Sequence, residues 1–165
     1  MCDLFSLFHL RFVEDGSGQD EHFWTNLGEG KKNAWAGYAF ELLCLNHLTQ
    51  IKKALGISGV LTNACSWSTP PLVDADGTQW PGAQLDLLLA RADHVISVCE
   101  MKFSQSSYSV TQDYARLVRE RNSVFVHHTR TSDAVQNVLV TTYGLKENLY
   151  SGTFLHTVAF DDLFV

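Results

Sequence analysis

Two apolar segments, Gln84–Arg91 (QLDLLLAR) and Val95–Phe103 (VISVCEMKF), stand three residues apart, and each carries an acid among aliphatic side chains. Runs this short and this rich in Val, Ile and Leu read as strands, with Ala92-Asp93-His94 as the turn of a hairpin. Side chains alternate along a strand, so Glu100 and Lys102 share a face. Asp86 takes the face opposite Leu85, Leu87 and Leu89. A hairpin pivoting on Asp93 sets Arg91 against Val95 and Asp86 against Glu100, with Cβ atoms ~4.5–5.5 Å apart. Two carboxylates so placed repel, and acids inside apolar strands are expensive unless paired or metal-bound. A divalent cation relieves both costs, because carboxylate oxygens are natural ligands of hard metals. Lys102 then stands where it can orient or deprotonate a water, or neutralise charge on a phosphate. The spacing by itself also suits a plain surface hairpin. The aliphatic surroundings favour a site.

The rest of the chain supplies a frame for this hairpin. Residues 4–13 (LFSLFHLRFV) read as a strand that ends at the turn cluster Glu14-Asp15-Gly16-Ser17-Gly18. It has no hairpin partner ahead of it, as in a piece of a longer chain. Gln19 to Gly30 reads as loop with a short helical turn at Phe23-Trp24. From Asn33 to Leu55 the spacing predicts one helix, with Phe40, Cys44, His47 or Leu48, Ile51 and Leu55 at three- and four-residue steps. Glu41 lies inside that apolar stretch, and Gly56 and Gly59 stop the helix. Val60–Trp67 is a predicted strand and Asp74-Ala75-Asp76-Gly77 a turn. Val110, Tyr114, Leu117, Val118, Arg121, Phe125 and His128 form one stripe of a second long helix reaching Thr129. Ser109 and Gln112 make a capping box at its start. Gln136–Tyr143 and Thr153–Phe160 are further strands, and Asp161 can cap a last helical turn. The expected fold is α/β, a mixed central sheet flanked by helices.

Charge and composition exclude several classes. A chain of 165 residues fits one compact domain and needs no disulfide or metal to fold. Twelve Lys and Arg face 18 Asp and Glu, a net charge of −6, which argues against holding nucleic acid by bulk charge alone. No apolar run reaches the ~18 residues of a membrane span. Cys2, Cys44, Cys65 and Cys99 form no C-x-x-C pair, which excludes a zinc framework and a disulfide scaffold and points to a reducing, cytoplasmic setting. The only Gly-Lys pair, Gly30-Lys31, is followed by Lys32 and lacks the P-loop hydroxyl, so no ATP site is expected. His127 and His128 are adjacent on a helix and point ~100° apart, which suits helix-end residues better than one metal. His47 reads as a hydrogen-bonding core residue. Arg116, Arg119, Glu120 and Arg121 read as a solvated face, of which Arg116 and Arg119 could touch a phosphate backbone. Glu41 reads equally as a ligand and as the partner of a buried cation.

Asp86 followed by Glu100-Met101-Lys102, an acid on one strand and E-x-K on the next, resembles the PD-(D/E)XK, or restriction-endonuclease-like, nuclease superfamily. That superfamily's core runs helix, three strands, helix, strand, the order expected here from Asn33 to Tyr143. The resemblance implies Mg²⁺ or Mn²⁺ held by Asp86, Glu100 and the backbone carbonyl of Met101. It further implies Lys102 acting on the attacking water and Glu41 holding a metal-bound water. Leu85 replaces the proline of the superfamily's name. Gln112 and Tyr114 stand where many relatives place a basic residue, and Tyr114 is a weak nucleic-acid contact on this reading. Trp35-Ala36-Gly37-Tyr38-Ala39-Phe40-Glu41, Gln84-Leu85-Asp86-Leu87-Leu88, Cys99-Glu100-Met101-Lys102-Phe103, Thr141-Thr142-Tyr143-Gly144 and Phe160-Asp161-Asp162-Leu163-Phe164 are similar to the C-terminal nuclease-like domain of a group of prokaryotic AAA+-type ATPases. That likeness implies residues 1–30 as a junction to an ATPase and winged-helix part and 31–165 as the nuclease-like domain. It implies DNA as the partner and no membrane. Three functional readings follow: a metal-dependent nuclease, a nuclease-like module that no longer cuts and serves an ATPase, and an oligomerisation domain whose Leu4–Val13 strand is covered in a homodimer.

Overall fold

The computed structural model describes residues 3–14 and 20–164. Cys2 and most of the turn expected at 14–18 lie outside the described residues. The chain divides into two compact units, residues 1–46 and 47–165.

In the first unit the segment expected to be a strand is a helix, α1 (Leu4–Phe12). An apolar run of ten residues carries no period that separates the two states. The deciding signal is local: Asp3 caps the helix, its Oδ1 accepting from the Ser6 amide at 2.8 Å and its Oδ2 from the Ser6 hydroxyl at 2.8 Å. Helical spacing then stacks Phe8 on Phe12, ring centroids 5.0 Å apart, and each ring meets Trp35 at 5.5 Å. A strand would also put these two rings on one side but about 13 Å apart, so only the helix brings them into contact. Phe23 and Trp24 form the expected short turn, α2 (Phe23–Asn26). The long helix α3 (Glu29–Asn46) starts a turn earlier than expected and buries Phe40 and Cys44.

The second unit opens with α4 (Leu48–Ala54). The single predicted helix is thus two, broken at His47, whose backbone leaves the helical region. Gly56 closes α4 at φ +69°, with its amide on the Lys53 carbonyl and the Ile57 amide on the Lys52 carbonyl, both 2.9 Å. That is a Schellman ending, which needs a residue free to turn left-handed.

A five-stranded sheet follows, made of β1 (Thr62–Thr69), β4 (Ala83–Arg91), β5 (Val95–Lys102), β7 (Ala134–Thr141) and β9 (His156–Ala159), in the order β1-β4-β5-β7-β9. The first two pairings are antiparallel and the last two parallel. The short strands β2 (Leu72–Val73) and β3 (Gln79–Trp80) form one ribbon around the turn expected at Asp74–Gly77. Another ribbon joins β6 (Tyr108–Ser109) to β8 (Leu145–Lys146). The helix α5 (Gln112–Thr129) carries the chain from β5 to the parallel strand β7, a step no tight turn can make. Its cap is Thr111, accepting from the Tyr114 amide at 3.2 Å, rather than Ser109, which is spent in β6. Near the C-terminus, Asp162 rather than Asp161 does the capping, accepting from the Ala159 amide at 2.8 Å.

The fold is therefore α/β with a mixed central sheet. One face of the sheet is closed by α5: Leu85, Leu88, Ile96 and Val98 bury Phe125, with Trp67 against it at 5.1 Å edge-on. Val110, Ala115, Val118, Leu139 and Phe154 continue the core under the start of α5. No helix among the described residues is long and apolar enough to cross a membrane.

Candidate functional site

The E-x-K pair sits at the carboxyl end of β5, beside β7, where Lys102 is opposite Thr141 in the parallel register. Open α/β sheets bind ligands at such strand ends. Ile96 and Val98 pack towards Phe125, and alternation carries Glu100 and Lys102 to the same face, under α5. The Thr111 cap fixes the register of α5, so that Tyr114 and Arg121, seven residues apart, reach one patch of the sheet.

There Glu100, only 6% exposed, is enclosed. The Tyr114 hydroxyl donates to its Oε2 at 2.6 Å and Arg121 Nη1 donates to its Oε1 at 3.4 Å. The Lys102 ammonium is 3.8 Å from Oε2 and 5.3 Å from the centre of the Tyr114 ring. One buried carboxylate thus serves two cations, whose side chains are 33% and 31% exposed. The surplus charge at this patch is positive.

Burial first, then the negative charge of Glu100 and the bond donated to it, raise the Tyr114 hydroxyl far above the ordinary phenol range. Tyr108 is raised by the same first two causes. A folded-state pKa raised above the unfolded value of about 10 gives stability that is complete below pH 10 and is lost as pH climbs above it. The expected slope for Tyr114 is about 1.4 kcal/mol per pH unit. Urea melts at pH 8, 10 and 11 check this. Tyr114→Phe should start less stable at pH 8 but decline more gently in alkali. Equal alkaline losses in both proteins would remove Tyr114 from the explanation.

The surroundings of the other expected site residues follow from the hairpin and from α3 and α5. The hairpin register is the one expected: Leu87 faces Cys99 and Ala90 faces Ile96, and His94 takes a left-handed φ of 63° in the turn. The recorded pairs stop one step short of Asp86 and Glu100. At that step β4 is bulged, because Cys65 pairs with Leu88 and Trp67 with Leu85, leaving Asp86 and Leu87 both opposite Ser66. A bulge re-aims the strand's side chains. Leu85 and Leu88 both join the core under α5 although they are three residues apart, as a bulge between them requires. Asp86 is exposed and accepts from Gln84 Nε2 at 2.8 Å. Met101 is 4% exposed between Glu100 and Lys102. Glu41 belongs to α3, in the other unit, where its charge and above all burial push the Cys44 thiol up to about 12. Arg116 is exposed and pairs with Asp113 at 3.1 Å, and Arg119 is exposed on the outer side of α5.

Asp86 and Glu100 are donors of the right kind for Mg²⁺ or Mn²⁺, but the arrangement does not fit a metal centre. No three His, Cys, Asp or Glu side chains converge among the described residues, and both Glu100 oxygens are engaged by a donor or a cation.

Sequence reasoning missed Arg121 as a partner of Glu100. The available signal was its place on the stripe with Tyr114 and Phe125, where a charge needs a partner. His127 and His128 also have definite work. His127 stacks on Trp80 with centroids 4.0 Å apart and lies 2.9 Å from Asp74 Oδ2, which also accepts from the Trp80 indole at 2.9 Å. This ties the β2–β3 ribbon to the end of α5. His128 Nδ1 is 3.3 Å from the Thr69 hydroxyl. Compared with protein families, curated proteins and solved structures, the chain matches none.

Proposed function

We propose that this chain is a nuclease-like domain of the PD-(D/E)XK type, acting on the phosphodiester bonds of nucleic acid, DNA before RNA, as the C-terminal part of an ATPase-linked protein. The observation that carries the reading is the pair Glu100 and Lys102, side by side at the carboxyl end of β5 under α5. The strand order supports it: three antiparallel strands, then a helix, then a parallel strand. The reading calls for Mg²⁺ or Mn²⁺ on Asp86 and Glu100, an ion that activates water and neutralises phosphate charge when bound. Since the donors are not assembled, no step is assigned to it. The chain's own part is narrower. Lys102 keeps a solvent-reaching ammonium at the strand end, where it can meet charge developing on a phosphate oxygen. Tyr114 holds the Glu100 carboxylate in one orientation. The enclosure of Glu100 favours a second reading, a module that binds nucleic acid or regulates an ATPase without cutting.

Conversion of supercoiled plasmid to nicked circles, with Mg²⁺ or Mn²⁺, separates the two. The nuclease reading expects conversion by wild type and a rate about 100-fold lower or less in Lys102→Ala, with an unchanged circular-dichroism spectrum. No cleavage of plasmid, single-stranded DNA or RNA with either ion leaves the non-cutting module. With a net charge of −6, affinity for DNA should be weak and fall with salt.

A further inference from the structure

We infer that the first unit holds a binding site for a free long-chain carboxylate, an acyl chain with one anionic head, in the cavity between α1 and α3. The inference does not depend on the reading proposed above. The cavity measures about 550 Å³. Cavities that take small ligands run ~300–1,000 Å³ and are apolar with a few convergent polar groups. Leu7, Leu10 and Arg11 line it from one stripe of α1, and Lys31, Ala34 and Tyr38 from one stripe of α3. Phe12 and Trp35 meet edge-on within the lining, centroids 5.5 Å apart. The small residues on α3 keep the space open, and a Cβ added at Gly30 meets no atom within 4 Å. Leu10 and Tyr38 are exposed, which leaves apolar surface for a ligand to cover. The charge around the cavity has one sign: Arg11 and Lys31 line it and no acid does. Neither has an ion pair among the described residues, whereas Lys32, outside the lining, pairs with Glu29 at 2.9 Å. An apolar cavity edged by unpaired cations matches an apolar chain that ends in an anion. At ~30 Å³ for each water-sized group, a methylene included, the volume takes a chain of roughly 12 carbons with its carboxylate. A second copy of this chain fits poorly, because a twofold contact lays the same patch on itself and would bring the cations of both copies together.

Isothermal titration calorimetry of the full chain at pH 8 tests this, with octanoate, decanoate and dodecanoate, each kept below its micelle concentration. The expected result is one saturable site per chain, with affinity rising about fourfold for each added methylene. Decanol and decyltrimethylammonium carry the same chain as decanoate without its charge, and each should bind about tenfold more weakly or worse. The double variant Arg11→Gln with Lys31→Gln should lose the preference for the carboxylate and keep the affinity for decanol. Lys32→Gln removes a neighbouring charge that the cavity does not use, and should bind decanoate as wild type does. Ala34→Leu, at an exposed helical position, should fill the cavity and weaken every ligand of the series about tenfold or more, with an unchanged circular-dichroism spectrum. Wild type without saturable binding of dodecanoate, or with equal affinity for decanoate and decyltrimethylammonium, overturns the inference. So does a folded double variant that binds decanoate as tightly as wild type. Sedimentation with phosphatidylglycerol vesicles but no binding of dissolved dodecanoate would assign the face to a membrane surface. A dimer at sedimentation equilibrium that shuts out dodecanoate would assign it to a second copy. Either result overturns the inference and leaves the proposed function standing.

Discussion

Phe125→Ala should lower stability by about 3–5 kcal/mol, the range for deleting a buried aromatic ring. Phe125 is 3% exposed, and it fills the space between α5 and the strands β4 and β5. Its removal strips the packing from Leu85, Leu88 and Val98 and takes away the edge-on contact with Trp67 at 5.1 Å. Little can collapse into the gap, because interiors are close-packed and both strands are held by ladders on each side. Phe125→Leu keeps most of the volume and should lose less than half as much. Urea denaturation with an unchanged m-value provides the measurement. A loss under about 1 kcal/mol for the alanine variant would mean that α5 is not packed as described.

The second large effect belongs to Glu100. Replacing it with alanine removes the acceptor of the Tyr114 hydroxyl and the counter-charge of two cations. Lys102 and Arg121 are each about a third exposed, so water repairs part of their loss. The Tyr114 hydroxyl, on a partly buried side chain, loses its one 2.6 Å partner. The expected cost is about 2–4 kcal/mol, between the values for an orphaned hydroxyl and for a broken buried ion pair. Glu100→Gln retains an acceptor and should cost roughly half as much. A double-mutant cycle with Tyr114→Phe should return a coupling of about 1 kcal/mol or more, since the two groups touch. Additive effects would deny the 2.6 Å hydrogen bond its role.

These two residues also show where the sequence could be read and where it could not. The hairpin, its turn at Asp93, the helix-bridged parallel strand and the face shared by Glu100 and Lys102 were all legible, because each follows from alternation or from the period of α5. The bulge at Asp86 was not. A bulge adds one residue to a strand without changing its composition, and QLDLLLAR reads identically with it and without it. In the folded chain Glu100 is compensated by Arg121, Lys102 and Tyr114, and two of those partners are far away in sequence. The helix at Leu4–Phe12 failed for another reason. Its apolar run fits either state, and the Asp3–Ser6 cap that decides it lies one residue ahead of the run.

Tyr114, Val118, Arg121 and Phe125 follow one another along a single stripe of α5 at steps of four, three and four. Polar members hold the site and apolar members seal the core, in alternation. A roll of the helix by one position, ~100°, would disengage all four at once. Inheritance therefore cannot tune this site by loosening the helix that carries it. Variants that soften the core will scatter the charges around Glu100, and a variant that keeps those charges in place has kept its interior. Selection on the chemistry and selection on folding act here on the same twelve-residue stretch, so natural variation is expected to be tolerated on the outward side of α5, at Arg116, Arg119 and Ser123, and purged on the inward one.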